Sequence, residues 1–170
     1  MQKALIVDPE KCTGCRICEM YCSLHKTDTC NPARARVSVI KWEEQNIIIP
    51  VMCQHCQEPL CALVCPVNAI KKNPETGLVA TDSDLCVHCH MCIVACPFGG
   101  PSLDPIEGKV VRCDLCQSEE GGPVCAQVCP TEAIKFVRAD RVGLMKKREA
   151  MKKLASVSKR GLETLVKESS

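Results

Sequence analysis

The chain has 170 residues, of which 17 are cysteine, one is tryptophan, one is tyrosine and two are phenylalanine. An odd cysteine count argues against the disulfide framework of a short secreted domain. No run approaches the ~20 apolar residues of a membrane span, and a formal net charge of +2 gives no basis for a nucleic-acid partner. A core this poor in rings and this rich in sulfur is expected to be filled by something inorganic.

Only Met1 to Lys11 precede the first cysteine, with no apolar signal segment and no twin-arginine leader, so a reducing cytoplasm is the expected compartment. Ala4-Leu-Ile-Val7 reads as a short strand closed by Asp8-Pro9. It leads into Cys12-Thr-Gly-Cys15-Arg-Ile-Cys18-Glu-Met-Tyr-Cys22. Three cysteines at steps of three, then a fourth four residues on, is the bacterial run that holds an iron–sulfur cluster, except that proline normally follows the fourth and Ser23 stands here. Gly14 suits a tight turn at positive φ. Cys30 is the one cysteine outside any quartet and reads as a small buried hydrophobe. Arg34 and Arg36, just beyond it, read as solvated loop residues, with a partner surface as the alternative.

Val37-Ser-Val-Ile40 and Ile47-Ile-Ile-Pro50 form a hairpin pattern across Glu43-Glu-Gln-Asn46. The second quartet follows, Cys53-Gln-His-Cys56-Gln-Glu-Pro-Leu-Cys61-Ala-Leu-Val-Cys65-Pro66. The turn-rich Lys71-Lys-Asn-Pro-Glu-Thr-Gly77 and the strand-like Leu78-Val-Ala-Thr81 open the third, Cys86-Val-His-Cys89-His-Met-Cys92-Ile-Val-Ala-Cys96-Pro97. Steps of three let one loop aim three sulfurs at three corners of a cube. The fourth cysteine lies a helical turn on, where Pro97, lacking an N–H, stops the helix. The fourth quartet is Cys113-Asp-Leu-Cys116, an eight-residue loop, then Cys125-Ala-Gln-Val-Cys129-Pro130. The first and third quartets share even steps, and the second and fourth share a Cys-x-x-Cys opening and an Ala-Ile exit. That is an internal repeat of order two. The expected metal ligands are Cys12, Cys15, Cys18, Cys22, Cys53, Cys56, Cys61, Cys65, Cys86, Cys89, Cys92, Cys96, Cys113, Cys116, Cys125 and Cys129, holding four [4Fe–4S] clusters.

Zinc is the rival metal. A zinc ribbon separates two Cys-x-x-Cys pairs by roughly 15–20 residues, whereas the gaps within these quartets are short and two of them have no pairs. Each site has its full complement of thiolates, leaving no open iron for substrate, and no nucleophile or general-base constellation is present. The chain is therefore expected to transfer electrons rather than catalyse. His55, His88 and His90, inside the cysteine loops, are expected at the rim, donating toward sulfur or water. Arg16 in the first loop should raise that site's potential, and Glu58 and Asp114 should lower those of the second and fourth.

With its four quartets in view, the chain resembles the ferredoxin-like electron-transfer subunits of molybdenum and tungsten oxidoreductases and of formate- and carbon-monoxide-linked hydrogenase systems. Asn31-Pro-Ala-Arg34 and the short length are most similar to the small subunit of multi-subunit tungsten aldehyde oxidoreductases. The resemblance implies an α+β fold of two interlocked bis-[4Fe–4S] modules, quartets one and four in one and two and three in the other. It also implies that exit cysteines are exchanged. Cys129 would join Cys12, Cys15 and Cys18; Cys22 would join Cys113, Cys116 and Cys125; Cys96 would join Cys53, Cys56 and Cys61; and Cys65 would join Cys86, Cys89 and Cys92. The implied partners are a large catalytic subunit and a further redox subunit.

Residues 1–137 carry twelve basic and sixteen acidic residues, and residues 138–170 carry ten basic and four acidic. The tail reads as a basic amphipathic helix, with Met151, Leu154, Ala155, Leu162, Leu165 and Val166 on one stripe. It is expected to dock on the acidic, cluster-bearing body of another subunit, head-to-tail where that subunit is a further copy, with a membrane surface or its own domain as the other readings. The expected organisation is thus a four-cluster body, 1–137, and a helical tail, 138–170. An independent polyferredoxin and a zinc-stabilised interaction module are the alternatives.

Overall fold

A computed structural model describes residues 2–151 and 153–155. Among the described residues, four two-stranded antiparallel sheets and four helices alternate with the cysteine loops, and a further helical segment begins at residue 142. β1 (Lys3–Val7) pairs with β8 (Ile134–Arg138), Leu5 opposite Phe136. This joins the strand entering the first quartet to the one leaving the fourth. β2 (Val37–Trp42) and β3 (Ile47–Met52) form the expected hairpin between the first and second quartets, closed by Asn46 at φ 56°. Pro50 lies within β3, where its missing N–H is tolerated because every strand of a two-stranded sheet is an edge.

The remaining connections are also hairpins, β4 (Ile70–Lys72) with β5 (Val79–Thr81) and β6 (Ser102–Leu103) with β7 (Val110–Val111). Their turns repeat one another. In Asn73-Pro-Glu-Thr-Gly77 the Asn73 side chain accepts from the N–H groups of Glu75 and Thr76 at 2.8 and 3.0 Å. In Asp104-Pro-Ile-Glu-Gly108 the Asp104 carboxylate accepts from Ile106 and Glu107 at 2.9 and 3.1 Å. Each turn then closes on a glycine at positive φ.

The helices differ in length for a local reason. α2 (Leu60–Leu63), α3 (Met91–Val94) and α4 (Val124–Gln127) have four residues each and stop before a Cys-Pro step, whereas α1 (Ile17–Thr27) runs on for eleven. Ser23 can continue a helix and proline cannot. Ser23 is fully buried, donates to Met20 O and accepts from Asn31 N–H, which brings the following loop back onto α1. α1 packs on α4, and α2 on α3.

Cysteines enter all three buried clusters. One gathers Cys18, Cys22 and Cys125 with Val37, Val39, Met52 and Ile134; a middle one gathers Cys53 and Cys113 with Leu78 and Leu115; a third holds Cys92 with Ile70, Val79 and Val110. Trp42, Tyr21 and Phe98 are exposed, as expected of a core filled with sulfur rather than rings.

Several expectations change here. Cys30 is exposed, because its loop is held by Ser23 and Asn31 and passes outside the core. Arg34 is buried rather than solvated, bridging Asp104 at 2.8 Å and Glu107 at 2.6 Å. Arg36 pairs with Asp114 at 2.9 Å. Asn31 caps the turn before Arg34 by accepting from Ala33 N–H, so the Asn31-Pro-Ala-Arg34 tetrapeptide serves folding. Finally, β8 continues through Arg138 and Ala139 N–H donates to Gln2 O, which carries the body past residue 137.

Residues 142–151 are helical, with Leu144, Met151 and Leu154 exposed, and Lys153 pairs with Glu10 of the same chain. Leu162, Leu165 and Val166 lie outside the described residues. Among the described residues no helix is long and apolar enough to cross a membrane.

Candidate metal centre

Each quartet opens on the same backbone device. The residue two places after the first cysteine has positive φ in all four, Gly14 at 70°, His55 at 46°, His88 at 53° and Leu115 at 57°. The left-handed step reverses the chain between one sulfur and the next, and Arg16 and His90 repeat it at the N-caps of α1 and α3.

The exits share a second device. After Cys65, Cys96 and Cys129 the chain runs Pro-x to a residue at positive φ, Asn68, Gly99 or Glu132. The next N–H then turns back onto the sulfur: Ala69 to Cys65 at 3.3 Å, Gly100 to Cys96 at 3.4 Å and Ala133 to Cys129 at 3.2 Å. Cys22 has no such turn, since α1 carries straight on. Its N–H comes from Arg36, at 3.3 Å, where the chain returns.

The exit sulfurs meet the openings of other quartets. Cys129 lines one small cavity with Cys12, Cys15 and Cys18. Cys65 lines another with Cys86, Cys89 and Cys92. Cys22 lies near Cys113, Cys116 and Cys125, close enough for each thiol to act on its neighbour's charge. Cys53 has Cys61 and Cys96 beside it in the same sense. Gly100 packs so tightly on Cys53 that a Cβ there would lie 2.7 Å from the Cys53 Cα. Neighbouring sets also lie within electrostatic reach of one another, through Cys125 and Cys18, Cys113 and Cys53, and Cys92 and Cys61.

The donor chemistry fits iron–sulfur clusters. Burial pushes the Cys18 and Cys113 thiols up to about 12, with Glu19 adding to the effect at Cys18. Such thiols stay protonated by themselves, whereas coordination to a metal deprotonates them outright. Burial also acts to raise Cys65 and Cys129, but the backbone N–H groups around their sulfurs prevail and hold both below the ordinary thiol range. A second sign of fit is Arg112, which has the character of a counter-charge. It is 6% exposed, donates from Nη1 to Cys61 Sγ at 3.4 Å, and has Nε and Nη2 buried with no partner. Cysteine spacing gives no hint of this residue. The available signal was a charged side chain flanked by Val111 and Cys113 at the end of a strand.

Other polar residues are placed differently from expectation. His55 and His88 anchor their loops by accepting at Nδ1, which leaves the proton, and with it the donor role, on Nε2. Nδ1 of His55 takes the Val79 N–H at 3.0 Å, and Nδ1 of His88 takes that of Val110 at 3.4 Å. Burial, and after it the charge of Arg112, holds the His55 imidazole down at about 4. His90 is exposed at the rim, as expected. Asp114 does not present a bare charge, since Lys26 and Arg36 each approach it to 2.9 Å. Arg16 is offset by Glu19 at 3.9 Å. The expected contrast between a cationic first loop and an anionic fourth is therefore largely cancelled by local pairing.

A ferredoxin-like arrangement of cysteine loops defines an iron–sulfur electron-transfer protein. Comparison with known proteins agrees. A 4Fe-4S dicluster domain profile matches residues 44–139, and a 4Fe-4S binding domain profile matches residues 5–23. The chain is 32% identical over 156 residues to the B subunit of the anaerobic dimethyl sulfoxide reductase of Escherichia coli (strain K12), covering 83% of this chain and 76% of that protein. It is 35% identical over 136 residues to the aliphatic sulfonate oxidoreductase, polyferredoxin-like subunit, of Pyrococcus furiosus, covering 78% and 76%. It is also 36% identical over 132 residues to the NADH-dependent phenylglyoxylate dehydrogenase subunit beta of Aromatoleum evansii, covering 76% of this chain and 29% of that one. A subunit of the benzoyl coenzyme A reductase complex BamBC aligns at 25% identity and a TM-score of 0.49, covering 79% and 75%. The chain belongs to the 4Fe-4S dicluster family: it carries several [4Fe–4S] clusters and is an electron-transfer subunit, not a catalyst.

Proposed function

We propose that this chain holds four [4Fe–4S] clusters on the sixteen quartet cysteines, as two interlocked modules, and relays electrons for a molybdenum or tungsten oxidoreductase. The observation that carries this reading is the meeting of each exit cysteine with another quartet's opening, above all Cys129 with Cys12, Cys15 and Cys18. Each such cluster supplies a site that takes up or gives one electron. The protein's part is to hold these sites in a row. The electrostatic reach from one set's thiols to the next supports the order first, fourth, second, third.

The two ends of that row offer different surfaces to partners. Around the second and third quartets Leu63 and Val94 are 76% and 82% exposed, accompanied by Leu60, Val87, Met91 and Phe98. A collection of large apolar side chains on a protein surface marks an interaction site, and this one lies on the α2–α3 pair. We assign it to one redox partner and the first-quartet end to the other, the large catalytic subunit being one of the two. The compartment is cytoplasmic, and the tungsten aldehyde oxidoreductases are the narrower family of the catalytic partner.

Strictly anaerobic purification under native conditions tests the reading. About sixteen irons with matching labile sulfide per chain are expected, together with a co-purifying large subunit carrying molybdenum or tungsten. A colourless, zinc-rich preparation would overturn the cluster assignment. An iron-replete chain that isolates alone would favour the independent polyferredoxin.

A further inference from the structure

Arg112 poses an electrostatic problem that the protein alone leaves unsolved. A guanidinium removed from water is costly unless it is paired and hydrogen-bonded, and this one is 6% exposed with Nε and Nη2 unpartnered among the described residues. The nearest acidic residue in sequence, Asp114, is already held by Lys26 and Arg36. Among the described residues, the one side-chain hydrogen bond Arg112 makes is to a cysteine sulfur, that of Cys61. Its charge also acts on the thiols of Cys53 and Cys92. Cys53 and Cys61 belong to the second ligand set, and Cys61, which Arg112 holds, packs against the buried cluster that contains Cys92 of the third, so the cation stands where the two sets adjoin.

We infer that Arg112 is the fixed counter-charge shared by the second and third cluster sites, and that it raises the reduction potential of both. This rests on the cluster assignment proposed above. Reduction of either site adds one electron from a donor, with no bond made or broken and no proton required. A buried, permanently protonated guanidinium favours the state with the added negative charge, and at 6% exposure it is screened little by water. Lys26 and Arg36 differ from Arg112 because their charge is already answered by Asp114. The structure therefore assigns selective tuning to one end of the row. The last two sites are made easier to reduce than their thiolates alone would allow, so that charge drains toward the α2–α3 face.

The test is a redox titration of the anaerobically isolated full chain, followed by electron paramagnetic resonance, with dithionite as reductant. Cys61→Ser and Cys129→Ser mark which signals belong to which end. Arg112→Gln keeps a polar side chain without charge, and Arg112→Lys keeps the charge without the fork. With Arg112→Gln, the reduction equilibria of the second and third sites are expected to fall at least tenfold, about 59 mV for one electron, while the other two stay within threefold. Arg112→Lys is expected to stay within threefold at all four. Unchanged potentials with Arg112→Gln, an equal shift at all four sites, or equal shifts with Lys and Gln would each overturn the inference. If Arg112→Gln loses its iron, the metal content of Arg112→Lys decides. Full retention supports the counter-charge, and loss in both variants leaves Arg112 a packing residue only. Iron and sulfide analysis of the unaltered chain separately reports whether the cluster assignment itself holds.

Discussion

The loops of the first and fourth quartets and those of the second and third are written in nearly the same cysteine spacing, yet they are closed in different ways. In the first region α1 continues past Cys22 because Ser23 replaces proline. The exit sulfur then takes its N–H from Arg36, a residue 14 positions away. In the second region both exits are Cys-Pro, both helices are four residues long, and each sulfur is served by the N–H four residues on. Charge is handled differently too. Near the first region Asp114 is paired by two cations, whereas near the second Arg112 is left without a carboxylate. One substitution after a cysteine thus decides how far a helix runs and which segment must return to cover its sulfur. The short-helix region keeps an uncovered apolar face that a partner can use.

The largest expected effect comes from cutting the exchange between quartets. Cys129→Ser should perturb or remove the site built on Cys12, Cys15 and Cys18, with loss of up to about four irons, while Cys113, Cys116 and Cys125 keep theirs. Iron analysis with electron paramagnetic resonance reads this out, and loss of the fourth site's signal instead would refute the exchange. The next concerns the bridge from the first-quartet side to the β6–β7 turn. Arg34→Met leaves the buried Asp104 without its cation, a loss on the order of 3 kcal/mol, measured by chemical denaturation under anaerobic conditions.

The same pair sets an acid dependence. Burial would raise the Asp104 carboxyl, but the N–H groups of Glu107 and Ile106, and then Arg34, hold it below its ordinary 3.8. A carboxyl lowered in the folded state contributes stability that is complete above 3.8 and is lost as pH falls from there through the lower folded-state value. Wild type compared with Arg34→Met at each pH should therefore show a gap that narrows in acid, and a constant gap would contradict it. A slightly smaller effect is expected from making the first region imitate the second. Ser23→Pro should cost about 3 kcal/mol by interrupting α1 and should detach the loop held by Asn31. Loss of helical circular dichroism with a lowered denaturation midpoint checks it, and unchanged stability would mean that the length of α1 is set elsewhere.

Much of the candidate site was legible beforehand because ligand spacing is local. The four quartets, the β2–β3 hairpin and the helix stops at proline all follow from neighbours a few residues apart. The repeated Asn73-Pro and Asp104-Pro turns carried a readable signal as well, each an Asx side chain followed four residues later by glycine. The fates of the charged residues were not legible. In sequence Arg34 and Arg36 look like solvated charges and Asp114 like a bare charge beside the fourth site, and their partners lie between 70 and 88 positions away. His55 and His88 were read as rim donors because the strands that give them N–H groups, β5 and β7, belong to the following quartets.

By itself the sequence determined the chemistry: sixteen sulfurs in four short runs, each with the turn residues and stops needed to aim them, since a loop of a few residues has few ways to fold. Tertiary structure decided everything that joins one run to another. It selected which exit sulfur meets which opening, where a helix freed of proline ends its reach, and which cation is buried without an acid beside it. Those outcomes depend on segments distant in the chain meeting in space, where burial removes the water that would otherwise screen a charge or satisfy an N–H.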